Sequence, residues 1–237
     1  MILATDLDGT FLAGSADARS ALIAQFLTPA EHRLVYVTGR SAASVQALIG
    51  DGRLPRPDAM ICDVGTYIAD ADGQADSSGA MDWIEQRWQG KASPIREALA
   101  AFTQLEMQPE VGPNRLGYYY RDPAVIAPAS AIVREFDCDP LASDGVYFDV
   151  LPRGVNKGST LRHLMRAWQI ADDQVLAAGD TLNDLALLSA GFPSVAVGGA
   201  EAGLLEQLPA SERIFRAHAE GCDGIVEALQ HFQFFNH

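Results

Sequence analysis

The chain has 237 residues, long enough for one large core or for a core with a smaller companion domain. Hydrophobic residues at 48% and charged residues at 20% are the balance of an ordinary globular protein. A formal net charge of −14 excludes the basic surface that nucleic-acid phosphates or anionic lipids require, so an anionic substrate must be held by local cations or a metal.

The first element is the apolar run Ile2-Leu-Ala-Thr5, a strand that ends in Asp6-Leu7-Asp8-Gly9-Thr10. Ala18 to Phe26 carries apolar residues at helical spacing, and Thr28-Pro29 ends it. Arg33 to Thr38 is a buried strand, Ser41 to Ile49 a helix with Ser41 as cap, and Ala59 to Val64 a third strand. Strands alternating with helices predict right-handed crossovers and a parallel sheet. Gly65 to Ile68 with the turn Asp70-Ala-Asp-Gly73 predicts a small hairpin.

From Met81 the rhythm changes. Trp83 to Trp88, Ile95 to Leu105 and Val125 to Phe136 are helical, while Leu116 to Arg121 and Val146 to Leu151 are strands. We expect residues 82–153 to form an inserted α+β cap, with 1–81 and 154–237 as the α/β core. The core resumes with the helix Ser159 to Gln169, the strand Val175 to Ala178, the helix Asp184 to Ser189 and the strand Ser194 to Val197. Helical segments Glu201 to Leu208 and Gly224 to Phe232 complete it. No apolar run reaches the ~18 residues of a bilayer span, and the amino terminus enters a strand without a basic or cleavable leader. Cys62, Cys138 and Cys222 are odd in number and lack metal-ligand spacing, which predicts reduced thiols in a cytoplasm.

Asp6 and Asp8, two apart at a strand end, project together where open α/β sheets bind ligands. Carboxylates so close need a cation, a shared proton or divided labour, although Asp8-Gly9-Thr10 alone also fits a plain turn. Three further clusters follow apolar runs or precede a helix: Thr38-Gly39-Arg40, Asn156-Lys157-Gly158 and Gly179-Asp180-Thr181-Leu182-Asn183-Asp184. Asn183 and Asp184 open a helix, so capping is an alternative to a metal role. Arg40 either touches substrate or pairs with an acid. The five histidines show no ligand pairing, Gly-x-Ser-x-Gly is absent, and Gly154 to Ser159 is too short for a nucleotide-binding P-loop.

The four clusters in this order resemble the haloacid dehalogenase (HAD) superfamily of phosphohydrolases. The resemblance implies a Rossmann-like parallel-sheet core, and the insert after the third strand resembles its type-two cap class. Asp6 is then the nucleophile that forms an aspartyl-phosphate, and Asp8 the acid and base for leaving group and water. Oxygen-rich ligation suits Mg²⁺, held by Asp6, Asp180 and the backbone carbonyl of Asp8, with Asn183 and Asp184 around them. Gly9, Thr10, Thr38, Gly39 and Lys157 would hold the phosphate.

Phe148-Asp149-Val150-Leu151-Pro152, Val64-Gly65 and the ending Gly224 to Phe232 narrow the likeness to the bacterial sucrose-phosphate phosphatase group. This implies a phosphorylated disaccharide or glycosyl compound as substrate, sucrose 6-phosphate first, supplied by a glycosyltransferase or synthase. Mannosylfructose- or glucosylglycerol-phosphate, or sugar phosphates in general, are the neighbouring alternatives. Substrate contacts are expected from Arg40, Asn114, Arg115 and Tyr118, the cap stretch where this chain departs from the group's pattern. Phosphomannomutase-like transfer shares the aspartate pair. A non-catalytic sugar-phosphate sensor is the alternative outside enzymes; such a protein would lack an essential acid, and this chain keeps all five charged residues of the motifs.

Overall fold

The computed structural model describes residues 1–28, 31–109 and 111–234, without the side chains of Gln25 and Phe26. Pro29 and Phe26, invoked in the first predicted helix, therefore lie outside the described residues or side chains. In chain order the strands are β1 (Ile2–Thr5), β2 (Arg33–Val37), β3 (Ala59–Cys62), β4 (Tyr67–Ala69), β5 (Leu105–Met107), β6 (Leu116–Tyr120), β7 (Cys138–Ser143), β8 (Tyr147–Pro152), β9 (Val175–Gly179), β10 (Ser194–Gly198) and β11 (Ile214–Glu220). The α-helices are α1 (Ala16–Leu22), α2 (Ala42–Gly50), α3 (Asp82–Trp88), α4 (Ala92–Leu99), α5 (Ile126–Glu135), α6 (Lys157–Ala167), α7 (Leu185–Leu188), α8 (Ala202–Gln207) and α9 (Gly221–His231).

Seven strands form one sheet in the order β11-β10-β9-β1-β2-β3-β4, parallel except for β4. Its central strands are buried on both faces, as parallel strands between helical layers must be. In β1, Leu3 packs with Tyr36, Val195 and Ile225 on one face, while Ile2 and Ala4 pack with Val35, Leu161 and Phe192 on the other. The sequence runs from β1 to β2 on one side, and β9 lies on the other. That reversal leaves a crevice at the carboxyl ends, where such sheets bind ligands.

The second sheet is antiparallel, β5-β6-β8-β7, and has its own core. Leu116, Tyr118, Tyr120, Phe148 and Val150 point from it onto Ile95, Leu99, Ala129 and Val133 of α4 and α5. Strand alternation then turns Tyr119, Tyr147 and Asp149 to the opposite face.

Several elements differ from expectation. The helix expected from Ile95 to Leu105 ends at Leu99, and Leu105 starts β5. The first helix runs from Ala16 to Leu22 and continues as a wider turn over Ile23–Leu27. β5, β7 and β11 were not anticipated. β7 contains Pro140 and lies at a sheet edge, where a residue without an N–H is tolerated; in a sequence the same proline reads as a strand breaker. β11 (IFRAHAE) is another edge strand, and its polar residues alternate toward solvent.

Candidate active site

The register places the motifs. Thr5 pairs with Ala178 on one side and with Tyr36 on the other, so Asp6, Gly179-Asp180 and Thr38 emerge together at three adjacent strand ends. The Asp6 amide donates to Ala178 O at 2.9 Å, which ties the first acid to β9. Beyond Asp6 the chain turns sharply, with Asp8 extended and Gly9 at φ 77°. A Cβ on Gly9 would lie 2.0 Å from Asp180 Oδ2, so only glycine lets the loop and this carboxylate approach so closely.

Lys157 is delivered from the opposite direction by the first turn of α6. Asn156 caps that helix, accepting from Ser159 N at 2.8 Å while Ser159 Oγ accepts from Asn156 N at 3.0 Å. The lysine is fully buried, and its ammonium donates to Asp6 Oδ1 at 2.8 Å, Asp184 Oδ1 at 2.7 Å and Asn183 Oδ1 at 2.5 Å. Burial opposes its charge, but Asp184 and Asp6 outweigh burial and hold its pKa above the ordinary lysine value. One ammonium must nevertheless serve two carboxylates. Burial pushes Asp6 up to about 8 against the pull of Lys157, with Asp184 and Asp180 adding to the rise. Burial likewise carries Asp180 to about 6, although the Thr10 hydroxyl lowers it by donating to Oδ1 at 2.7 Å.

Ligand oxygens of Asp6, Asp180 and Asp184 all lie within 4.8 Å of one another. Three acids facing a single buried ammonium leave an excess of negative charge, and the all-oxygen donor set fits a hard divalent cation. Asp184 is the least free of the three. Its Oδ2 accepts from the amides of Asp180 and Thr181 at 3.0 and 3.1 Å, and its Oδ1 holds Lys157. Of the two sequence alternatives for Asp184, the structure shows the capping of a turn, and the same carboxylate also braces the charged cluster through Lys157. A Cβ on Gly179 would stand 2.5 Å from Asp184 Cβ, so the glycine admits this inward bend.

A cleft of about 600 Å³ opens over these groups, lined by Asp6, Asp8, Thr38, Gly39, Arg40 and Asn183 from the core. Asp8 is more than half exposed and receives a two-pronged ion pair from Arg40, Nε to Oδ2 at 2.6 Å and Nη2 to Oδ1 at 2.7 Å. Of the two alternatives for Arg40, the structure shows the acid pair, and that acid belongs to the cleft. The Thr38 hydroxyl accepts from Arg40 N at 3.2 Å.

Four expected contacts are placed differently. Thr10 is wholly buried, and its hydroxyl serves Asp180 rather than a phosphate. Tyr118 faces the apolar core of the small sheet, because β6 alternates and the cleft side of the tyrosine run falls to Tyr119. Asn114 is buried with its amide on Thr66 O at 3.3 Å. Arg115 reaches the cleft wall, but its guanidinium is taken: Nε bonds Asp63 at 3.0 Å, Nη1 bonds Asp149, and Nη2 faces Gly39 O at 3.5 Å. Asp63, Tyr119, Tyr147 and Asp149 were not among the expected substrate contacts, although Asp149 stands in the Phe148–Pro152 stretch that carries the family likeness. Period-two alternation of Tyr147 and Asp149 in β8 was the available signal for the last two.

A family model described as Sucrose-6F-phosphate phosphohydrolase matches residues 1–233. The chain belongs to this family. Sucrose-phosphate phosphohydrolases are phosphatases of the HAD fold, so the chain is a phosphoric monoester hydrolase. The sucrose-phosphatase of Synechocystis sp. PCC6803, solved in complex with sucrose and phosphate, superposes with a TM-score of 0.88 at 26% identity, covering 98% of each chain. Among curated relatives, glucosylglycerol-phosphate synthase of Pseudomonas anguilliseptica is 41% identical over 99% of this chain, and the match spans 31% of that longer protein. Mannosylfructose-phosphate phosphatase of Agrobacterium fabrum is 27% identical over 98% of this chain and 96% of its own length. Among the described residues no helix is long and apolar enough to cross a membrane.

Proposed function

We propose that this phosphatase hydrolyses the phosphate ester of a glycosylated sugar or polyol, with Asp6 as nucleophile. The observation that carries the reading is the buried junction of Lys157 with Asp6, Asn183 and Asp184, beside Asp180, at the ends of β1 and β9. A nucleophilic carboxylate must be aimed and close to fixed positive charge, and this junction provides both; burial holds the Asp6 pKa near 8, so the added charge of a bound cation is what would favour its ionised form. Asp6 attacks phosphorus, and the bond to the ester oxygen breaks to leave an aspartyl-phosphate. For Asp8 to act as the acid, one of its oxygens must leave Arg40 and take up a proton from solvent; it then gives that proton to the departing alcohol oxygen and takes one from the water that cleaves the acyl-phosphate. Arg40 fixes the direction of Asp8 at the cleft mouth, and Thr38 and Gly39 line the phosphate side. Mg²⁺ is the cation we assign to Asp6 and Asp180, with Asp184 as their brace; when bound it neutralises charge on the phosphoryl oxygens.

We further assign residues 82–153 as the cap that selects the alcohol, and 1–81 with 154–237 as the catalytic core. The substrate follows the relatives in part. The 41% match across the whole chain favours glucosylglycerol phosphate over the sucrose 6-phosphate suggested by sequence, because the sucrose-phosphatase relatives stand at 25–29%. The Synechocystis fold match keeps sucrose 6-phosphate as the second reading. A glycosyltransferase that makes the phosphorylated glycoside would supply either, and a cytoplasmic setting suits the three free, buried cysteines.

The test is phosphate release with Mg²⁺ from glucosylglycerol phosphate, sucrose 6-phosphate, mannosylfructose phosphate and simple hexose phosphates, with bisphosphate-dependent isomerisation as control. We expect a glycosyl ester to lead by at least about tenfold in kcat/KM, some 1.4 kcal/mol. A flat profile, or isomerisation faster than hydrolysis, rejects the assignment.

A further inference from the structure

We infer that Asp149, Tyr119 and Tyr147 form the face that reads the hydroxyl-bearing alcohol of the substrate, and that Arg115 and Asp63 position it. The inference rests on the glycosyl-ester reading above and adds the residues that would carry its selectivity.

The three residues share one side of the small sheet. Tyr119 pairs across the strands with Tyr147, their ring centroids 5.7 Å apart, and Asp149 lies two residues further along β8. All three line the cleft opposite Asp6 and Asp8. Among the described residues the two rings are two of four exposed large hydrophobic side chains, at 40% and 36% exposure. Exposed aromatic surface continuous with a catalytic cleft is surface awaiting a ligand, and tyrosine presents both a flat apolar face and a hydroxyl.

Asp149 supplies what aromatic faces lack, an oriented acceptor. It is almost wholly buried, and among the described residues its one hydrogen-bond donor is Arg115. A carboxylate has two oxygens and about four lone-pair sites, so acceptor capacity remains on a side chain that borders the cleft. Burial raises its pKa to about 6, and Arg115 opposes that rise and favours the charged, accepting form.

The bracing runs back to the phosphate end. Asp63 and Val64 both sit in the left-handed region, at φ 52° and 57°, a strained conformation for a β-branched residue. The turn is held by Asp63 N on Arg40 O at 2.9 Å and Val64 N on Thr38 O at 3.1 Å. From that turn Asp63 accepts from Gly112 N and Arg115 Nε, both at 3.0 Å. Asp63 is therefore fixed to the Thr38–Arg40 loop, Arg115 to Asp63, and Asp149 to Arg115. A site built to bond a hydroxyl rejects analogues that lack it much more strongly than an apolar pocket can.

The experiment compares kcat/KM for glucosylglycerol phosphate and sucrose 6-phosphate with that for p-nitrophenyl phosphate, whose leaving group carries no sugar hydroxyls. It uses the whole chain, wild type against Asp149→Asn and Tyr119→Ala. The ratio of the preferred glycosyl ester to p-nitrophenyl phosphate should fall at least tenfold in each variant, mainly through KM. Tyr119 is exposed, so Tyr119→Ala keeps the test decisive should Asp149→Asn fail to fold. A ratio within twofold of wild type in either folded variant overturns the recognition face alone. A wild type that hydrolyses p-nitrophenyl phosphate and neither glycosyl ester overturns the substrate class and this face with it.

Discussion

Replacing Lys157 with methionine isolates the interaction on which the site depends. Methionine keeps much of the volume but removes an ammonium held within 2.8 Å of two buried carboxylates and the half-buried Asn183. Breaking a buried ion pair from one side costs about 3–5 kcal/mol, because the remaining charge has no compensation. The cost must depend on pH, and its sign follows from Asp6. Its folded pKa of about 8 lies above the ordinary 3.8, so between these values the native state binds more protons than the unfolded chain. Wild-type stability without metal therefore falls as pH rises through this window, by at most about 1.4 kcal/mol per unit for one proton. Lys157 opposes that rise in pKa; without it Asp6 clings to its proton to higher pH, and ionising it costs more. Below about pH 8 Asp6 stays protonated in both proteins and the destabilisation by Lys157→Met should be nearly constant; it should grow from pH 7 to pH 9.5, where the wild type ionises Asp6 and the variant does not. Urea unfolding followed by tryptophan fluorescence, with chelator present, measures it. A loss below about 1 kcal/mol at pH 7, or one no larger at pH 9.5 than at pH 7, refutes the reasoning. With Mg²⁺ restored, turnover should still be down about 10²–10³-fold, the usual penalty for losing one pre-aimed donor.

Chelation should abolish hydrolysis and Mg²⁺ should restore it. Apparent Mg²⁺ affinity should tighten from pH 6 to pH 8, since Asp180, near 6, and Asp6, near 8, must shed protons to bind; an affinity flat with pH counts against these ligands. Asp6→Asn should lower kcat by at least about a thousandfold, some 4 kcal/mol, and yield no phosphoryl adduct by mass spectrometry; full turnover dismisses Asp6 as nucleophile. Gly9→Ala should cost about 1–2 kcal/mol from its backbone conformation alone. It should also weaken Mg²⁺ binding, because its Cβ would meet Asp180 Oδ2 at 2.0 Å; wild-type Mg²⁺ affinity in a folded variant would show that the loop can yield.

The central architecture was readable because its signals are local and redundant. The strands β1, β2 and β9 are apolar runs that close on polar clusters, and Asp6, Thr38, Lys157 and Asp180 were expected together before any geometry. The spatial juxtaposition of the first and last of these comes from the β1–β9 register, which no local pattern encodes. Edge strands failed for a physical reason. With one partner and solvent on the other side, β7 tolerates Pro140 and β11 tolerates Arg216 and His218, so neither bears the apolar mark of a central strand. The bond of Thr10 to Asp180 was not foreseen, because a hydroxyl beside a glycine turn serves a phosphate or a carboxylate equally well in sequence. Arg115 was misread because its two acids lie 52 and 34 residues away. In the tyrosine run, substrate contact was expected from Tyr118, whereas strand alternation turns Tyr118 to the core and Tyr119 to the cleft; the alternation was in the sequence, but which face met the cleft was not.

The two ends of the cleft are joined by a short stretch of chain. Asp149 and Lys157 are separated by the end of β8, a turn in which Val155 N bonds Pro152 O at 2.9 Å, and the Asn156 cap of α6. Thr160, one turn into that helix, donates to Gly65 O at 2.6 Å, and Gly65 adjoins the strained turn carrying Asp63. Asp63 in turn holds Arg115, and Arg115 holds Asp149, which closes a loop of contacts around the cleft. A displacement of β8 therefore acts on the Lys157 helix through the backbone and on the Thr38–Arg40 loop through Asp63. Both routes end on groups that touch Asp6 or Asp8. An alcohol that seats poorly on Asp149 should for this reason lose rate as well as affinity, because the residue that would recognise it is anchored to the residues that place the nucleophile and the acid.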